Sequence, residues 1–336
     1  MSSVHGSTHD ARPASVPRTH SGAPGDAEPP AAARGRRGRR DTVPGMLMVA
    51  PAMTGLLVFL ALPFVAAIVM SFFNVHVGQT RPPRFVGLTY YSRLFTDPVY
   101  SGPFLRSLLN NCLFAVVVVP TQTAFALGLA VLLNRKLRGV AFFRTFFFMP
   151  VVFPMALVAV VWRLILERSD SGLLNATVHL VSGGLAPAHD WLGSGATAMG
   201  SVILISIWQG VGFQMVIILA ALQEIPGERY EAAQLDRANA WQRFVHITVP
   251  GIRNTLVFVV LVTTIYAFRL YDQVYILIKT ADANQKATQT VLYQATSAVF
   301  EQNNFSLASA ITVIFFVIIV AVTLVQRLLL RQTSEG

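Results

Sequence analysis

The sequence predicts an all-α, polytopic membrane protein with six transmembrane helices. Three observations carry this. Only 12% of the 336 residues are charged and 54% are hydrophobic, whereas ordinary soluble domains are about 25% charged. Six apolar stretches are each long enough to cross a hydrocarbon core of about 30 Å, which takes about 20 residues. Finally, runs such as Ile311–Val325 show none of the apolar/polar alternation of barrel strands. Helices are then the way to satisfy their backbone polar groups in lipid. Together these features exclude a disordered chain, a coiled coil and most soluble enzymes. Cys112 is the single cysteine, so no intrachain disulfide can form.

Residues 1–41 differ from the rest. They hold no aromatic residue and end in a run with arginines at 34, 36, 37, 39 and 40. Such a segment cannot bury enough apolar surface to offset its ordering entropy, and it reads as a disordered basic cytoplasmic tail. It is too long and polar for a signal-peptide n-region. His5 and His9 have i, i+4 spacing, but no helix holds them, so they are not read as metal ligands. A membrane domain follows over 42–336. Its spans run roughly Met46–Phe73, Asn110–Leu133, Ala141–Leu166, Ala198–Leu222, Asn254–Ile278 and Ala308–Leu330.

Orientation follows from Lys and Arg. With the N-terminus inside, the inner segments carry 17 of the 26 basic residues, counting Arg327 at the end of the last span. The outer segments carry 7, four of them (Arg81, Arg84, Arg93 and Arg106) in the first outer loop. The bias predicts both termini inside and accounts for most of the net charge of +10 without nucleic acid. Arg163 at the outer end of the third span reads as a snorkelling anchor, and Cys112 as a small residue buried in the membrane.

Several chemistries are missing. Lys279 is followed by Thr280, but Ile278 replaces the glycine a phosphate-binding P-loop needs. No HExxH, Cys/His cluster or chain of intramembrane carboxylates is present. The chain therefore reads as neither an enzyme nor an ATP-binding protein, and no cofactor is expected in it.

The loop between spans 4 and 5 is the informative one. Pro226 suits a helix entry, and Glu228 and Glu231 place negative charge near the positive end of the helix dipole. Ala232 and Ala233 are small enough for a partner surface to approach closely, and Leu235 lies a turn beyond Glu231. These features predict a short amphipathic helix parallel to the membrane, with a second helix leading to Pro250. A solvated connector is the plainer reading, yet the length of about 30 residues and the internal helical pattern favour docking.

Glu231-Ala232-Ala233, Asp236, Ala238, Phe244, Ile247 and Pro250 resemble the EAA motif of ABC importer permeases. Arg237 takes the place of the motif's glycine. If that position needs a positive φ, a side chain there costs on the order of 1 kcal/mol. The likeness extends over about residues 45–333 and is to the maltose-type carbohydrate permeases. Phe85-Val-Gly-Leu88 with Tyr91, Arg144–Pro150 with Trp162-Arg163, Gly172-Leu-Leu-Asn175, Trp208–Phe213 and Phe268–Tyr275 are similar to signatures of that family. Thr280–Ala283 replaces its usual Gly-Gly-Pro turn.

The resemblance implies an ABC importer permease fold with a cytoplasmic coupling helix, in the bacterial inner membrane. The partners it implies are a second, paralogous permease, two copies of an ABC ATPase that uses ATP and Mg, an extracytoplasmic solute-binding protein, membrane lipid and a sugar substrate. ATPase coupling would fall to Glu231, Ala232, Ala233, Asp236, Arg237, Ala238, Phe244 and Pro250. For the substrate pathway, amides and aromatic faces suit sugars, which singles out Trp208, Gln209, Gln214, Asn111 and Gln122, with Arg269, Tyr271 and Asp272 near the end of span 5. Helix packing through small residues and interhelical hydrogen bonds explains the same amides equally well. Arg269 and Asp272, at i, i+3, are expected on one face where they neutralise each other. Glycerol phosphate compounds or polyols are the alternative cargo. An ATP-independent secondary transporter or channel is the rival function, and it would call for internal repeats and ion-coupling carboxylates.

Overall fold

The computed structural model describes residues 42–135, 139–169, 172–193, 195–278 and 288–332. The expected basic tail, His5 and His9 included, and the Lys279–Ala283 segment lie outside these residues. The chain divides into two units, Met1–Val58 and Phe59–Gly336.

Within the first unit, α1 spans Thr42–Leu56. A π-helical turn covers Leu57–Ala61. It comes just before Pro63, which has no N–H to give the preceding turn. In the second unit, α2 (Leu62–Ser71) leads into a two-residue antiparallel ladder, β1 (Phe73–Asn74) with β2 (Arg84–Phe85). Then come α3 (Thr89–Thr96), α4 (Pro98–Leu133), α5 (Val140–Val152), α6 (Met155–Ile165), α7 (Leu173–Val181) and α8 (Gly195–Gln223). The short helices α9 (Gly227–Leu235), α10 (Ala240–Arg243) and α11 (Val249–Gly251) form the loop after α8. The chain continues through α12 (Arg253–Phe268), α13 (Asp272–Ile278), α14 (Val291–Phe300) and α15 (Phe305–Gln332).

Among the described residues, four helical stretches are long and apolar enough to cross a membrane: Met46–Ser71, Pro98–Leu133, Gly195–Gln223 and Phe305–Leu330. Two further candidates are bent pairs. One is α5 with α6, at 98°, and the other is Ala240–Gly251 with α12, at 69°. The expected third span is therefore not a straight rod, whereas the 69° bend lies just before the expected start of the fifth span at Asn254. The α5/α6 bend lies at Phe153-Pro154. A proline pushes its predecessor out of helical backbone, and Phe153 is extended, with ψ 135°. The expected helix through Arg269 also stops early, because Arg269 caps α12 and helix resumes only at Asp272.

Broken helices leave carbonyls without partners, which lipid cannot satisfy. Here side chains supply the donors. Asn111 Nδ2 donates to Phe268 O at 3.3 Å, and Thr290 Oγ1 to Leu270 O at 2.8 Å. At the other bend, Gln209 Nε2 donates to Phe153 O at 3.0 Å.

Two apolar clusters form the core. One joins the N-terminal parts of α4 and α8 with the end of α12, α13, α14 and α15. The other joins Ala126, Ala130, Met215, Ile218 and Val259 from the opposite parts of α4, α8 and α12. Gln122, Gly210 and Thr263 fall between the two, so a polar layer interrupts the bundle where α4, α8 and α12 meet.

Candidate functional site

That layer opens into a cavity of about 470 Å³, within the usual range for small-molecule sites. Gln122 of α4, Gln209 and Gln214 of α8, and Arg269 and Asp272 from the break after α12 all line it. Five of the eight side chains singled out for the pathway thus converge on one space. Phe114, Phe213, Phe258 and Met155 give it apolar and aromatic walls.

The amides are positioned by packing. Gln122 lies over Gly210, where an added Cβ would strike its amide group. Gln214 Nε2 donates to Thr263 Oγ1 at 2.5 Å, and Thr263 in turn donates to Val259 O. Gln214 Oε1 is buried and has no partner among the described residues. A buried acceptor left unpaired costs about 1–3 kcal/mol, so this oxygen has an acceptor site open at the cavity.

Arg269 and Asp272 depart from the sequence expectation. They do not share a continuous helical face, and the one ion pair among the described residues is Arg168 with Asp190 at 3.7 Å. The break after Phe268 turns both into the cavity, exposed and unpaired. The remaining three pathway candidates lie elsewhere. Asn111 is fully buried behind the break. Its Nδ2 serves Phe268 O and its Oδ1 accepts from Val291 N, so its polar groups hold structure and face no cavity. Trp208 packs edge-on against Trp162 at 5.6 Å, outside the cavity lining. Tyr271 stacks on Tyr275 and lines a neighbouring space that Arg269 and Asp272 also border.

Sequence reasoning missed Ser206, Thr263, Tyr266 and Gln273, which also line the cavity. Gln273 reaches Ser206 Oγ at 3.3 Å and joins α13 to α8. Two one-turn offsets were available as signals: Gln273 lies four residues beyond Arg269, and Ser206 three before Gln209.

The second functional element is the loop after α8. Both expected helices are present, as α9 and as α10 continued by a π-helical turn over Phe244–Thr248. Asn239 and Gln242 form a capping box at the start of α10. No residue of α9 is buried. Tyr230 and Ala233 are its half-buried face, while Glu231, Ala232 and Leu235 are exposed. Its amphipathic character within this chain is therefore slight. Tyr230 OH lies 3.0 Å from Thr248 Oγ1 and ties α9 to the π-helical turn. Phe244 is half-buried under Trp241, with ring centres 5.6 Å apart, and Pro250 is exposed.

Helix α9 ends in a Schellman motif. Ala238 N donates to Ala233 O at 2.9 Å, and Arg237 N to Gln234 O at 3.0 Å. Arg237 sits at the left-handed position of that motif, with φ 57°. The positive φ considered from sequence is present, and a non-glycine residue adopts it.

The outer segments are organised around Gly87 and Asn175. Gly87 turns at φ 58° so that Val86 N and Gly87 N both reach Phe72 O. Asn175 Oδ1 accepts from His189 N and from Trp191 Nε1, while its Nδ2 points at backbone carbonyls from Glu167 to Ser169 and at His189 O.

A broken-helix bundle around a polar cavity, with a capped helical loop outside it, describes a membrane transport component. Residues 92–335 match the family described as the inner membrane component of binding-protein-dependent transport systems, and the chain belongs to that family. It is 35% identical over 293 residues to the probable ABC transporter permease protein YurN of Bacillus subtilis, covering 86% of this chain and 96% of that one. It is 30% identical over 288 residues to the trehalose/maltose transport system permease protein MalF of Thermococcus litoralis, covering 85% and 93%. The fold is shared with a chain of a bacterial alginate ABC transporter solved with an alginate pentasaccharide-bound periplasmic protein. There the TM-score is 0.75 at 18% identity, over 88% of this chain and 96% of that chain.

Proposed function

We propose that this chain is the transmembrane permease subunit of an ATP-driven, binding-protein-dependent importer of a sugar or oligosaccharide. The observation that carries the reading is the cavity, where unpaired Gln214 Oε1, the amides of Gln122 and Gln209, and the free charges of Arg269 and Asp272 converge between aromatic walls. Hydroxyl-rich solutes need many donors and acceptors and an apolar face to lie against. The relative from Thermococcus litoralis is named for trehalose and maltose, and the structural neighbour for alginate, which supports a carbohydrate cargo.

In this reading the chain has six spans, the third being the bent α5/α6 pair and the fifth α12 continued past its break by α13, with both termini in the cytoplasm. It forms half of the pathway, and a paralogous permease supplies the other half. A solute-binding protein delivers cargo to the outer face, and two ATPase subunits bind and hydrolyse ATP-Mg on the inner face. Alternating access requires ATP to favour one state of the bundle over the other. The exposed face of α9, centred on Glu231, receives that bias, and the Tyr230–Thr248 contact passes it toward α12.

The test is Glu231→Lys in the assembled transporter. Substrate-stimulated ATP hydrolysis and vesicle uptake should both fall at least tenfold, with membrane insertion unchanged. Wild-type uptake would remove the coupling role. Purification of the chain without any ATPase would instead favour an ATP-independent carrier.

A further inference from the structure

Arg106 plays no part in the cavity or the coupling loop, and it stands among the basic residues that run against the topology bias. It lies on the exposed face of α4, near that helix's N-terminal end, and no acidic side chain pairs with it among the described residues. It borders a separate cavity of about 530 Å³ between α4, α14 and α15. Arg106 is the one charged side chain in that lining among the described residues. Tyr100, Gln289 and Gln302 add further hydrogen-bonding groups, and Leu307 and Ile311 form the floor. Gln294 borders the cavity too. Its Oε1 accepts from Ser107 at 3.0 Å, which leaves its NH₂ as a donor. Glu301 does not line this space, and its carboxylate accepts from Ser297.

Below Arg106 the same face of α4 is apolar and open. Leu109 is 67% exposed, Leu113 53% and Val116 71%. They follow Arg106 at i+3, i+7 and i+10, so the four share one stripe. Arg106 is four residues before the expected start of the span at Asn110. At 1.5 Å per residue that is about 6 Å beyond the hydrocarbon edge, in the headgroup zone. Val116 is about 15 Å further along the helix, and so about 9 Å inside the hydrocarbon, within one leaflet.

The geometry points to a binding site for one anionic phospholipid. The headgroup phosphate meets the Arg106 guanidinium and the amide donors of the cavity, and an acyl chain lies along Leu109, Leu113 and Val116. A phosphate takes paired hydrogen bonds from guanidinium, and at this depth that charge pair is screened less than in bulk water. A free phosphate ester would satisfy the cavity but would make no use of the stripe. A partner polypeptide would cover the stripe but has no need of a cation at headgroup depth.

The experiment uses the full-length chain, purified with its associated subunits in nanodiscs of equal phosphatidylglycerol and phosphatidylcholine. Lipid retained after transfer to detergent is read by native mass spectrometry. Phosphatidylglycerol should be retained severalfold over phosphatidylcholine. Arg106→Gln should reduce that retention at least threefold, Arg106→Lys less, and Leu113→Ser should reduce it without touching the charge. Equal retention of the two lipids in the wild type overturns the site without recourse to any variant. So does unchanged phosphatidylglycerol retention in Arg106→Gln. Displacement of the lipid by millimolar soluble glycerol phosphate overturns the lipid in favour of a free-phosphate pocket. Cross-linking of a partner subunit to Leu113→Cys in the assembled transporter overturns it in favour of a protein interface.

Discussion

Arg237 occupies the position at which α9 reverses into the left-handed region, and the two Schellman hydrogen bonds hold it there. Glycine takes this backbone without a Cβ penalty, whereas arginine pays about 1 kcal/mol. Arg237→Gly should therefore strengthen local closure of the loop by about 1 kcal/mol, near a fivefold shift in the opening equilibrium. Hydrogen exchange at the Ala238 amide measures it, and unchanged or faster exchange would contradict the strain. The motif made Arg237 noticeable in the sequence, but the sign of φ required the fold. Asn111 teaches the opposite lesson. An amide in a span reads equally as pathway or as glue, and here it caps the carbonyl that the break after α12 exposes.

Helix crossings, rather than single side chains, decide what the glycines of α8 do. An added Cβ at Gly210 meets only the tip of Gln122, which can swing aside, whereas one at Gly212 meets the Phe147 backbone of α5. Gly210→Ala should leave thermal stability within about 1 kcal/mol while cutting uptake, because the displaced amide intrudes on the cavity. Gly212→Ala should destabilise by about 1–3 kcal/mol through overpacking, with α5 forced off α8. Melting of the purified protein together with vesicle uptake separates the two, and equal effects on both readouts would refute the distinction. In the sequence the glycines at 210 and 212 looked alike, since nothing local reveals which neighbour lies over each.

Across the whole molecule, sidedness links the bundle to its proposed partners. Leu235 is 86% exposed on α9, so a cysteine placed there reports directly on what covers that helix. In a Cys112→Ser background, Leu235→Cys should react with an impermeant maleimide only from the cytoplasmic side. Bound ATPase should slow that reaction at least tenfold. Labelling from the outer side would reverse the topology, and labelling indifferent to the ATPase would leave the loop undocked.

Composition and hydrophobic run length were enough to establish a helical membrane protein, because a bilayer imposes its thickness on any chain that crosses it. Local turn chemistry was enough to place α9 and α10. The spacing around Glu231 made the family legible. What required the tertiary structure was the site. The break after Phe268 is held by Asn111 and Thr290, which serve the carbonyls it frees, while the 98° bend at Pro154 comes from the proline itself. Those breaks bring Gln122, Gln214, Arg269 and Asp272 together while setting Asn111, Trp208 and Tyr271 apart. Burial in lipid is a property of a segment and is written along the chain. Convergence on a cavity is a property of residues distant in sequence, and it appears only when the helices meet.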